Sequence, residues 1–320
     1  MALCGRVFVP FSQIVFWLSL SAGLASQGQF AVARTLMVGP GQPYSSPSEA
    51  ANAAQDGDQV LIAAGDYTDC AVWRANNLTI AGTAPNAAAI IGGPTCQGKG
   101  LFVAVGNDIV VRNLTLKGAR DQDHNGAGIR GEGNNLTVDG VKFLDNEEGI
   151  LAAGSGTSKI LVENSSFARN GICEGACAHA IYVGPVDLLR VEHSTFSDTL
   201  EGHHIKSRAH QTEVVDCVIA DTDEGTASLL IDIPNGGNLI VHDNTMQKGP
   251  KAENHLAAIR IGEEGVTNPV DRIEITDNKF RNSGDHPTAF VWNDTKTPAI
   301  LRDNQLAGDT VPLHGAGEVH

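Results

Sequence analysis

The feature that most constrains this chain is a strand-sized unit that returns seven times. It opens as GAGIR (126–130), EEGIL (147–151), AHAIY (178–182), GHHIK (202–206), SLLID (228–232), LAAIR (256–260) and TAFVW (288–292). Each opening leads to a second apolar strand, centred on Val138, Val162, Val191, Val214, Val241, Ile275 and Leu301. Five residues further stands a large apolar residue: Phe143, Phe167, Phe196, Ile219, Met246, Phe280 and Leu306. Neighbours in that last row are 24, 29, 23, 27, 34 and 26 residues apart. Self-similarity at such a period signals stacked repeats. Segments such as VEHSTF, VHDNTM and ITDNKF alternate apolar and polar residues, as half-buried strands do. No single unit can bury its own apolar face, so neighbours must stack.

Three short strands per unit predict an all-β chain wound as a single-stranded parallel β-helix, three strands to a rung. Ser165, Ser194, Cys217, Asn244, Asn278 and Asn304 hold one equivalent position, three residues after the second-strand apolar residue. Stacked Asn amides can bond from rung to rung at the ~4.8 Å strand spacing. On these residues the chain resembles the right-handed parallel β-helix proteins of the pectate-lyase-like superfamily over roughly residues 35–310. The resemblance implies that the Asn ladder marks the bend between the second and third sheets, and that the Ile-centred strand lies in the first sheet.

The ends read differently. Residues 1–33 have the form of a secretory signal: Arg6, an apolar stretch, and Ala31-Val32-Ala33 as a cleavage site. Residues 34–75 form an N-terminal cap, in which SSPSEAANAA predicts one short helix over the open end of the coil. The coil runs over 76–310, and 311–320 is read as a flexible tail. Cys70 can pair with Cys96 and Cys173 with Cys177, leaving Cys217 as a buried thiol in the ladder. This pattern and the leader predict a secreted or periplasmic protein with no membrane attachment after cleavage, expected to be a monomer.

The formal charge of −15 excludes nucleic acid as a partner. An acidic polysaccharide then needs a local basic patch or a bound cation to reverse the field. Aligned on their branched apolar residue, the seven openings put Arg130, Leu151, Tyr182, Lys206, Asp232, Arg260 and Trp292 in one column. With Ile205 inward, alternation turns His204 and Lys206 outward and returns His203 and Ser207 toward the interior or the rim. Two adjacent imidazoles are not expected to fit together inside a thin coil. Consecutive rungs then bring Tyr182, Lys206, Asp232 and Arg260 within roughly 5 Å of one another in sequence along the wall. His179 precedes His203 by one rung, so the two can pair.

β-Elimination from a uronic acid polymer needs a base for the C5 proton, neutralisation of the carboxylate, and an acid for the leaving oxygen. Lys206, Arg208, His204 and Tyr182 are the catalytic candidates, with Asp232 orienting Lys206. Arg130, His179, His203, Arg260 and Trp292 are the substrate-binding candidates. Lys206, followed by Ser207, is similar to the Lys of the alginate-lyase and chondroitinase-B-like lyases. That resemblance implies a Lys base, an Arg acid one rung later, and Ca²⁺ held by acidic residues. Here Asp232 stands where the Arg is expected, so Arg208 or Arg260 must take its place. Asp145, Glu147 and Glu148, or Glu263 and Glu264, are the oxygen ligands available to calcium. The same fold carries glycosidases, C5-epimerases and non-catalytic glycan-binding proteins. A glycosidase needs two placed carboxylates, and only Asp232 stands in the column.

Overall fold

The computed structural model describes residues 1–2, 5, 33–84, 86 and 88–320. The signal segment expected over 1–33 falls almost wholly outside them. Among the described residues, strands form three parallel sheets of 10, 12 and 10 strands and one antiparallel pair, and the one helix is Pro47–Ala53. Each complete turn gives one strand to each sheet, the 12-stranded sheet carrying one further strand at either end, and the turns stack into a right-handed parallel β-helix. No described helix is long and apolar enough to cross a membrane.

The repeat governs the stacking. Ile129, Ile150, Ile181, Ile205, Ile231, Ile259 and Val291 pair in sequence along the first sheet. The row from Val138 to Leu301 does the same in the second. The row from Phe143 to Leu306 does so in the third. These rows fill the lumen as one core. Phe143, Phe167 and Phe196 stack with centroids 4.6 Å apart at both steps, the spacing that the rungs impose. Burying one such side chain stabilises the coil by about 1.5–3 kcal/mol.

At the bend between the second and third sheets, Asn164, His193, Asp216, Asp243, Asp277 and Asp303 adopt φ between 48° and 61°. Asn and Asp tolerate this left-handed conformation better than most residues, which explains their recurrence there. The kink turns the next residue inward and builds the ladder. Asn244 Nδ2 donates to Asn278 Oδ1 at 2.9 Å, and Asn278 Nδ2 to Asn304 Oδ1 at 2.9 Å. Cys217 N donates to Asn244 Oδ1 at 2.9 Å. A second ladder, not anticipated from sequence, joins Asn146 Nδ2 to Asn170 Oδ1 at 3.0 Å on the bend into the first sheet.

The strands extend beyond the boundaries read from sequence. They begin at Thr35 and include Thr310–Gly315 and Gly317–Val319, which pair with Thr288–Asn293 and Ala299–Arg302. The 311–320 segment is therefore a last rung. Its apolar signal is weak because Val311 and Val319 remain exposed at the end of the core. At the other end, Ser46 caps the helix by accepting from Glu49 N, and Ala50 and Ala51 join the lumenal core. Cys70–Cys96 and Cys173–Cys177 are disulfides, and Cys217 is a buried free thiol.

Candidate functional site

The register of the first sheet aligns Arg130, Leu151, Tyr182, Lys206, Asp232, Arg260 and Trp292 on one outer wall, each paired with the next. A second outward column lies beside it. His179 and His203 stack there with ring centres 4.7 Å apart, and Glu148 accepts from His179 N at 3.0 Å. His203 N donates to His179 Nδ1 at 2.9 Å, and Leu229 N to His203 Nδ1 at 3.2 Å. The neutral His203 ring thus carries its proton on Nε2, which lies 3.4 Å from Asp232 Oδ2.

His204 corrects the sequence reading. It is fully buried and turned into the lumen, where its ring meets Phe196 edge-on at 6.2 Å. Thr199 Oγ1 lies 2.7 Å from its Nδ1, and Asp221 Oδ1 lies 3.0 Å from its Nε2. The strand proper starts at Ile205. Residue 204 still belongs to the bend, where simple alternation does not hold, so 204 and 205 both face inward and His203 faces out. The two adjacent imidazoles do not share the lumen: His204 is buried inside it, and His203 lies on the outer face with its side chain 12% exposed. His204 is withdrawn from the catalytic candidates.

The wall is densest around Lys206. Its Nζ lies 3.3 Å from Asp232 Oδ2 and 2.9 Å from Glu264 Oε1. Arg208, two residues on, reaches Glu264 Oε2 at 2.7 Å, donates from Nε to the Tyr182 hydroxyl at 2.9 Å, and meets Asn235 Oδ1. Both cations also lie over the Tyr182 ring, 5.9 and 5.7 Å from its centre. Two rungs beyond Lys206, Arg260 sits over Trp292 at 5.4 Å and pairs with Glu263 at 2.6 Å and Asp294 at 3.2 Å. Trp292 in turn donates to Asp294 at 2.8 Å. Arg130 lies at the opposite end of the column, with Glu132 3.9 Å from its Nε.

Burial decides the charge states. It pushes the Asp232 carboxyl up to about 7, against the opposing pull of Lys206. Burial alone would lower Lys206, but Asp232 and Glu264 outweigh it and hold the ammonium above its ordinary value. Of the two partners, the more deeply buried Asp232 is the one that gives way. His179 is pushed down to about 3 by burial and by the nearby Lys206 and Arg208. Burial, then His179, drives His203 well below the ordinary range. Glu148 is raised well above the carboxylate range by burial. At neutral pH the wall presents the Lys206 ammonium, the Arg208 guanidinium and the neutral His179 and His203 imidazoles around the Tyr182 ring.

The calcium expectation meets a specific obstacle. Asp232, Glu263 and Glu264 have oxygens within 4.8 Å of one another, and neither Asp232 oxygen accepts a hydrogen bond. Yet Lys206 already lies against Asp232 and Glu264, Arg208 against Glu264, and Arg260 against Glu263. Each of the three carboxylates already has a protein cation against it, so a divalent ion would have to displace Lys206, Arg208 and Arg260. Glu147 accepts from Asp121 N and Gly126 N, and Asp145 pairs with Arg169 at 2.7 Å. The donor set does not fit calcium as the chain stands.

From the sequence Glu264 was legible only as an oxygen ligand for calcium and not as the partner of Lys206 and Arg208, and Asn235 was not legible as a site residue. IGEEG was visible as an acidic loop, but its contact with Lys206 spans 58 residues and lies outside the repeat register.

A family model described as "Right handed beta helix region" matches residues 67–227. No curated protein matches the chain. Among solved structures, an alginate lyase from Paenibacillus sp. str. FPU-7 is similar with a TM-score of 0.68 at 17% identity, over 89% of this chain and 99% of that one. A pectin methylesterase from Aspergillus niger gives 0.47 at 10% identity, over 89% and 91%. At 17% identity the likeness to the alginate lyase concerns the fold alone.

Proposed function

Because this chain belongs to the right-handed β-helix family, we propose that its outer wall handles a polysaccharide and that the protein is a lyase cleaving an acidic polysaccharide by β-elimination. Fold alone supports no chemistry, so the reading rests on the wall. The observation that carries it is the meeting of a phenol, an ammonium and a guanidinium: Arg208 Nε lies 2.9 Å from the Tyr182 oxygen, with Lys206 over the same ring.

In the proposed reaction, a uronate lies along the wall with its carboxylate toward Arg208, whose planar fork suits that group. Neutralising the carboxylate acidifies the C5 proton. Lys206 and Tyr182 form the proton-transfer pair. One takes the C5 proton, the C4–O4 bond breaks as the C4–C5 double bond forms, and the other protonates O4. Lys206 is an ammonium held by Asp232 and Glu264, so it enters as the donor; Tyr182 takes the accepting role as a phenolate, its own proton first released to solvent under the charges of Lys206 and Arg208. This reverses the base role expected for Lys206 from sequence. Arg130, Arg260 and Trp292 lie farther along the wall and serve neighbouring sugars. Two disulfides fit work in an oxidising, exported setting.

The test is incubation with a panel of acidic polysaccharides, following ultraviolet absorbance of the new double bond. Absorbance growing with time supports the lyase. New reducing ends without it mean hydrolysis, and binding without product means a glycan-binding module; either result overturns the proposal.

A further inference from the structure

We propose that Glu264 is a tethered stand-in for the substrate carboxylate, occupying in the free protein the place between Lys206 and Arg208 that a uronate must take. This rests on the reading of the wall as a uronate site. Glu264 presents one oxygen to each cation, Oε1 to Lys206 at 2.9 Å and Oε2 to Arg208 at 2.7 Å. A uronate carboxylate would engage the pair in the same two-pronged manner.

The loop carrying Glu264 is docked through its backbone. Glu264 N donates to Pro234 O at 3.0 Å, and Thr267 N and Asn268 N both donate to Asn235 O at 3.0 Å. Asn268 Nδ2 donates to Arg208 O at 3.1 Å. Displacement therefore needs only a side-chain rotation, and the Glu264 side chain is 40% exposed. The two cations do not depend on it for position. Asp232 holds Lys206 from the buried side, and Tyr182 and Asn235 hold Arg208.

An internal ligand lowers apparent affinity by the fraction of molecules in which it blocks the site. It also imposes selectivity. A uronate replaces one carboxylate by another, whereas a neutral sugar would leave Arg208 without a carboxylate and Lys206 with Asp232 alone.

The experiment compares wild type, Glu264→Gln and Glu274→Gln. Glu274 pairs with Arg272 on the second sheet, so its variant reproduces the change in net charge away from the wall. Binding of free glucuronate is measured by calorimetry, and KM and kcat are measured on alginate and pectate. Glu264→Gln should bind glucuronate about tenfold tighter and lower KM by a similar factor, while Glu274→Gln should do neither. Unchanged or weaker glucuronate binding by Glu264→Gln, or equal tightening by Glu274→Gln, overturns the inference. Calorimetry needs no turnover. Tighter binding by Glu264→Gln without cleavage by any form leaves this inference standing and removes the lyase reading; cleavage by wild type without tighter binding does the reverse.

Discussion

Lys206 and Asp232 face each other across adjacent rungs, Nζ 3.3 Å from Oδ2, with the carboxylate fully buried and the ammonium partly open to solvent. The pair couples the chemistry of the wall to its stability, because any change in one charge is felt by the other in a region that water reaches from one side only.

Lys206→Ala should reduce turnover at least ~100-fold, the lower range for loss of a proton-transferring group. Circular dichroism should remain that of the wild type, because the side chain lies outside the lumen. Turnover retained in a folded variant would remove Lys206 from the reaction.

Asp232→Asn should change the pH dependence of stability. Asp232 is raised to about 7 in the folded chain, so it holds a proton there that the unfolded chain has released above its ordinary value of 3.8. Its contribution is therefore fully present at low pH and is lost as pH rises from about 4 to about 7. Relative to wild type, the Asn variant should gain stability across that interval and then level off. Denaturant titrations at several pH values test this; a difference independent of pH would refute it.

His179→Asn should do the opposite. The His179 ring is lowered to about 3, so it stays neutral in the folded chain while the unfolded chain takes up a proton below 6.5. Its contribution is present above that value and is lost as pH falls toward 3. The Asn side chain can still accept from His203 N. The variant should gain on wild type as pH falls, by at most about 1.4 kcal/mol per pH unit. In the wild type this slope opposes that of Asp232 over much the same interval, so only the single variants reveal either one.

Cys217→Asn should extend the ladder. Asn244 Nδ2 donates to Val214 O and His242 O, and the Cys217 thiol lies against the matching carbonyls of Val191 and Val215. An amide there replaces a weak donor with a strong one, for a gain of about 1 kcal/mol. Urea denaturation would measure it, and a loss of stability would mean that the larger side chain does not fit the bend.

The wall was largely legible in the sequence. Its column from Arg130 to Trp292 follows from the repeat, because backbone pairing between rungs carries a sequence alignment directly into space. The Phe143–Phe167–Phe196 stack and the Asn244–Asn278–Asn304 ladder were legible for the same reason. His204 was not, because a bend obeys neither strand alternation nor any period in the sequence.

The sequence by itself determined the winding of this protein: identical apolar positions recurring every few tens of residues leave stacking as their common means of burial. Only the tertiary structure decided what surrounds Lys206. Asp232 owes its raised pKa to burial, and Glu264 reaches Lys206 and Arg208 from a loop whose insertion breaks the repeat. Both depend on solvent exclusion and on side-chain reach through space, which a one-dimensional pattern does not encode.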